Sequence, residues 1–292
     1  MNLRTVLAIL AASLVGLCGT GCIIVAGDDW SCCWLGSSVW TEAQTERLSI
    51  APAGLRSLEV FTHNGAVTFE ALPGGAGEPY VEVKKKTGGR SMDDAREAME
   101  NLEVFVEAVG EGTQRIGYRW NRPKRPHWSA KVSFDVHAPA DVRFEAETHN
   151  GAVRVSGAAA DVRTTTHNGE VNIASSGGEL SAITHNGSIA VKYAGPELKL
   201  ETHNGRVTAN LDGCAAVRGD ITTHNGEVEV VLGERTSALI DASTHNGGIK
   251  CGVPMDDSRS SKGQLSGKVG GGEGRLDIST HNGGVQIRNT AG

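Results

Sequence analysis

Histidine is the side chain best placed to do chemistry in this sequence. The tetrapeptide Thr-His-Asn-Gly occurs eight times, with its histidines at His63, His149, His167, His185, His203, His224, His245 and His281. Neutral imidazole is the commonest protein ligand for zinc and copper, so His149, His167, His185, His203, His224 and His245 are candidate metal ligands. A metal-sequestering protein is one reading of such a row. A coordination shell, however, needs several donors at fixed positions. No Cys, Asp or Glu recurs at a constant offset from the tetrapeptide, and the residue after its Gly varies through Ala, Glu, Ser, Arg and Gly. The other reading is a solvent-facing ladder copied along with each repeat, with no metal or other cofactor required.

Other chemistries have less to build on. Polysaccharide lyases and hydrolases need paired carboxylates or a carboxylate-held metal. Glu145, Glu147, Glu170 and Glu227 are scattered without a repeated partner, and GxSxG, HExxH and phosphate-loop motifs are absent from the sequence. An enzyme is not expected. The stretch "RIGYRWNRPKRPHWSAK" gathers Arg119, Trp120, Arg122, Lys124, Arg125 and Trp128. Such a loop can contact anionic glycans or lipid head groups through charge and stacking; alternatively it is a solvated loop broken by Pro123 and Pro126. A net charge of -6, from 28 Lys and Arg against 34 Asp and Glu, argues against nucleic acid as a partner.

The N-terminus is charged at Arg4, apolar from Val6 to Leu17, and then small up to Cys22. This is the pattern of an export signal, too short to span a bilayer as a helix. Gly19-Thr20-Gly21-Cys22 resembles a bacterial lipoprotein signal, which makes Cys22 the expected lipidation site and the membrane an expected partner; plain secretion is the alternative. The protein is expected in the cell envelope. Cys32, Cys33, Cys214 and Cys251 remain as an even number in an oxidising compartment, with their pairing open.

The elements that must position the histidines follow from spacing. Successive tetrapeptide histidines are separated by 86, 18, 18, 18, 21, 21 and 36 residues. A period of 18 to 21 marks a solenoid, with the gap of 36 expected to hold two rungs, one without its tetrapeptide near Gly263. Apolar residues alternate on both sides of each copy, as in "LSAITHNGSIAV", so a strand runs into and out of each corner. Leu180, Ala182 and Thr184 share the inward face with Ile189 and Val191, and parity turns the histidine outward. Thr hydroxyls and Asn amides are expected to form ladders between rungs about 4.8 Å apart. Asn-Gly is expected to supply left-handed turn geometry. The segment 72–135 interrupts the period. Within it "SMDDAREAMENL" opens with a Ser91/Asp94 capping box and reads as a helix; "LEVFVEAV" and "TQRIGYRW" read as a hairpin, and together they are expected to cap one end of the coil. The expected division is a signal over 1–21, an anchored spacer over 22–46 and an all-β solenoid over 47–292, with its regular array over 136–292.

The repeat resembles that of a bacterial putative-adhesin family of unknown function, envelope proteins with a T-x-N/S-G-x-V unit. The likeness runs from about Leu48 to Ile287 and is best carried by "LSGKVGGGEGRLDISTHNGGVQI". It implies a single-stranded right-handed β-helix that presents a repetitive surface for adhesion or for scaffolding of an envelope partner, protein or glycan. The chain differs from the family pattern in placing His at the variable position every time.

Overall fold

The computed structural model describes residues 40–75, 77–175 and 177–290. The export signal, Cys22, Cys32, Cys33 and most of the expected spacer lie outside these residues.

Alternation makes the strands. In Val162–Thr166, Val162, Thr164 and Thr166 are buried while Arg163 and Thr165 face water, and the same two-residue rhythm recurs rung after rung. Each rung enters as one strand, turns at His-Asn-Gly and leaves as a second strand. The entering strands lie in a twelve-stranded sheet and the leaving strands in an eleven-stranded one. Through the array both sheets are parallel and in register: Thr166 lies opposite Thr148 and Thr184, and Val171 opposite Val153 and Ile189. Neither sheet closes into a barrel. The rungs of 21 residues keep this register, with Thr202 opposite Thr223. Their extra residues lie in the loops that hold Cys214 and Thr236, where the Thr236 hydroxyl donates to the Cys214 carbonyl at 3.0 Å.

Between the sheets runs one thin core of Val, Ile, Leu and Ala. Complete burial of each Val, Ile or Leu side chain contributes about 1.5–3 kcal/mol, so stability accrues rung by rung rather than from one large cluster.

The interrupting segment builds the expected cap. Met92–Glu100 is helical, with the Asp94 amide donating to the Ser91 hydroxyl at its N-cap. Ala95 and Ala98 are fully buried on its inner face, and the Thr87 hydroxyl donates to the Ala95 carbonyl at 2.8 Å. Leu102–Gly110 and Thr113–Trp120 form the hairpin. Thr113–Trp120 then pairs in parallel with the first THNG strand, Ser57–Asn64, and Ser129–Ala138 pairs in parallel with Val67–Ala71. The segment therefore adds a rung without a tetrapeptide as well as a cover.

Three expectations need correction. Residues 40–46, assigned to the spacer, belong to the strand Trp40–Ser49, which pairs antiparallel with Tyr80–Gly89; Lys85 is buried there against Glu46 at 3.1 Å. The gap of 36 holds no second rung. Its residues form the antiparallel hairpin Asp256–Ser261 and Gln264–Val269, laid along Ala238–Asn246. Rung order also departs from chain order: Gly274–Asn282 lies between Arg218–Asn225 and Ala238–Asn246, so Thr280 faces both Thr223 and Thr244. The last rung of the chain is the second from the end of the stack. The third correction concerns the corner glycines, taken up below.

Candidate binding face

At each corner three side chains have separate tasks. The Thr points inward and, at every corner after the first, donates to the carbonyl of the Gly in the adjacent rung: Thr166 to Gly151 at 3.0 Å, Thr202 to Gly187 at 2.9 Å, Thr280 to Gly226 at 2.9 Å and Thr244 to Gly283 at 2.8 Å; Thr62 donates instead to the Val132 carbonyl at 2.7 Å. This satisfies a buried hydroxyl and a corner carbonyl together. The Asn side chains form a second ladder, in which the Nδ2 of every corner Asn after Asn64 donates to the Oδ1 of a neighbouring rung's Asn. Asn150 donates to Asn64 at 2.7 Å, Asn204 to Asn186 at 2.8 Å and Asn246 to Asn282 at 2.9 Å.

The Gly is required for space. A Cβ on Gly151, Gly169, Gly187 or Gly226 would stand 1.8 Å from the carbonyl oxygen of the neighbouring rung's Gly. None of these four has a positive φ, and no corner Asn has one. The left-handed turn expected from Asn-Gly is therefore not the device used; close approach of stacked backbones is.

The histidines point to solvent, as strand parity requires, and all eight are exposed. Their rings stack in a single row in the order His63, His149, His167, His185, His203, His224, His281, His245, with centroids 4.7–4.9 Å apart. Interplanar angles are 17° or less. The row stays unbroken where chain order does not, because His281 fills the step between His224 and His245. This geometry bears on metal binding. An imidazole lone pair lies in the ring plane, so in parallel rings 4.8 Å apart the lone pairs run side by side. A zinc ion about 2.1 Å from one nitrogen would lie well out of bonding reach of the next ring. Among the described residues, no three His, Cys, Asp or Glu side chains are grouped to hold a metal.

The basic and aromatic stretch is largely engaged with its own cap. Arg119 pairs with Glu103 at 3.0 Å and Glu107 at 2.7 Å, which holds its guanidinium pKa above the usual value. Arg125 makes two bonds to Glu97 at 2.6 and 2.7 Å and lies over the ring of Trp128. Trp128 is buried and stacks on Trp120 at 5.5 Å. Arg122 and Lys124 are exposed. Their loop turns from Thr113–Trp120 to Ser129–Ala138, which is the corner position of the added rung. It is therefore next in line to His63, and Asn64 Nδ2 donates to the Ala130 carbonyl there at 3.4 Å.

Sequence reasoning did not anticipate a polar cleft of about 490 Å³ beside the last rungs. Asp220, Asp277 and Asp241 form its acidic row on three adjacent strands, and Arg275 bonds Asp241 at 2.8 Å and Asp277 at 2.9 Å. The cleft depends on the out-of-order rung, so no local pattern marked it. Among the described residues Cys214 and Cys251 are both free. Cys214 is buried, and burial pushes its thiol pKa up to about 11, which makes it a packing residue. Cys251 is exposed on an edge strand.

The Toastrack DUF4097 family model matches residues 48–288. Solved structures to which the chain is similar include a putative cell adhesion protein from Clostridium sporogenes, 13% identical, covering 85% of this chain and 100% of that one, with a TM-score of 0.37. A putative adhesin from Parabacteroides distasonis is 10% identical over 85% of this chain and 97% of its own, with a TM-score of 0.46. One from Bacteroides fragilis is 10% identical with the same two coverages and a TM-score of 0.36. The search of curated proteins found no match.

Proposed function

We propose that this chain, which belongs to the Toastrack DUF4097 family, is a non-catalytic cell-envelope lipoprotein that presents a repetitive β-solenoid face for adhesion or for scaffolding of a partner. The solenoid is read as a single-stranded right-handed coil of 18–21 residues per rung. One observation carries the reading: the exposed histidine row runs through all eight THNG corners without a gap, although the chain visits two of them out of order. Buried Thr and paired Asn ladders hold that face flat and regular, which suits an extended partner better than a single small substrate. A lipid on Cys22 would tether the body to a membrane.

The test is fractionation combined with surface labelling. Wild type is expected with the membranes and accessible to an impermeant label from outside the cell, and Cys22→Ala in the soluble fraction. A Cys22→Ala chain that stays with membranes like wild type defeats the anchor, and a wild-type chain shielded from the label defeats surface presentation.

A further inference from the structure

We propose that the corner edge of the solenoid is an acid-activated binding strip for a linear polyanion, a polymer carrying carboxylate or phosphate groups at a repeat close to the rung spacing. This deepens the reading of the face as a ligand-presenting surface by assigning the chemistry of what it takes.

Seven ring-to-ring steps of about 4.8 Å make the histidine row about 34 Å long. A small anion would meet one or two rungs of it, whereas an extended polymer would meet them all. The Asn row runs beside it at the same pitch. An amide NH2 has two N–H donors, and the ladder uses one of them. Each rung therefore offers an imidazole and a spare amide N–H, repeated in step. Repeating donors select a ligand with repeating acceptors.

Charge sets when the strip works. Histidine is the side chain whose ordinary charge change falls between about pH 5 and 8. With histidines neutral the chain carries -6, and protonation of all 10 would bring it to +4. A charged row places like charges 4.8 Å apart, and a polyanion lying along it converts that repulsion into attraction, so binding and proton uptake reinforce each other.

The charges facing the row fit this control. On the sheet beside it stand Glu147 and Glu201, the latter paired with Lys199 at 3.4 Å. Past the corner stand Glu170 and the ion pair of Arg206 with Glu227. These carboxylates repel a polyanion while the imidazoles are neutral. The ends are different. Tyr118 borders His63, and Arg122 and Lys124 are exposed on the next corner. At the far end Lys262 sits in the turn whose Gly263 carbonyl accepts from the Thr244 amide at 2.8 Å. Permanent cations thus stand at both ends of the histidine row.

The experiment measures binding of the purified full chain to polygalacturonate and to long-chain polyphosphate, with uncharged dextran as control, at about pH 5 and about pH 8. Wild type is expected to bind at least one of the two polyanions at the lower pH, to release it at the higher pH or on addition of salt, and to ignore dextran. The polymer it prefers identifies the source of the anionic groups. The triple variant His185→Gln, His203→Gln, His224→Gln keeps hydrogen-bonding side chains without the charge and is expected to lose about tenfold or more in affinity, while His203→Gln alone loses less. His137→Gln, off the row and stacked on Tyr80, leaves binding unchanged. No binding in acid, equal binding at both pH values, or full binding by a folded triple variant overturns the proposal. Because binding is measured on purified protein, a failure here is distinguishable from a failure of membrane anchoring.

Discussion

Replacing Gly205 with Ala isolates the feature on which the stack depends. The backbone of Gly205 is not left-handed, so the substitution adds only a methyl group, whose carbon would stand 1.9 Å from the Gly187 carbonyl oxygen and 2.6 Å from its carbon. Ordinary contact requires about 3.5 Å, so the two rungs must separate by about 1.5 Å at the corner. Three bonds span that gap: Thr202 Oγ1 to the Gly187 carbonyl at 2.9 Å, Asn204 Nδ2 to Asn186 Oδ1 at 2.8 Å, and the Asn204 amide to the His185 carbonyl at 2.8 Å. None survives such an opening. At about 1 kcal/mol each, their loss costs about 3 kcal/mol, and residual crowding adds about 1–2 kcal/mol. Gly248→Ala is the matched control, since its added Cβ meets nothing within 4 Å and the change should stay within about 0.5 kcal/mol. Urea unfolding followed by tryptophan fluorescence reads both. If Gly205→Ala lies within about 1 kcal/mol of wild type, the corners do not approach this closely and the reason given for the invariant Gly is wrong.

Strand parity is tested by adjacent residues: Thr202→Lys buries a charge in the core and should unfold at markedly lower urea, while His203→Lys should cost on the order of 0.5 kcal/mol; equal damage would mean inside and outside are exchanged. The Tyr193 hydroxyl is buried 2.6 Å from the carbonyls of Gly178 and Glu197, and burial pushes its pKa from 10.0 up to about 12. With the folded pKa above the unfolded one, its contribution is intact below pH 10 and lost as pH rises through about 12, so Tyr193→Phe should flatten the fall of the thermal midpoint over that window; an unchanged slope would refute this. Zinc should bind loosely in several equivalents, since parallel rings cannot share an ion, and a chelator should leave the thermal midpoint where it was; tight stoichiometric uptake measured by calorimetry would contradict the row geometry.

What was legible in the amino-acid order was what depends on near neighbours along the chain. Alternation in "LSAITHNGSIAV" placed Leu180, Ala182 and Thr184 inside and His185 outside, because successive side chains of a strand leave opposite faces whatever lies beyond them. The capping helix and its hairpin were legible for the same reason: Ser91 with Asp94, and a glycine-bounded turn, act within a few residues. The reason for the corner glycine was not, since only another rung's backbone, brought in by stacking, forbids a Cβ there. Nor were the partners of Arg119 and Arg125, which lie on other elements of the cap.

Rung order shows most directly what only the tertiary structure decided. Eight corners with one tetrapeptide and one register can each stack on any other, so the Thr280 rung pairs as well between Thr223 and Thr244 as it would at the end. The sequence by itself determined the strand, the inward Thr, the outward His and the ladder chemistry of every rung. Which rung lies against which was settled by the packing of the Asp256–Val269 hairpin along Ala238–Asn246, a contact that occupies the far edge of that strand and leaves the near one for the last rung to fill.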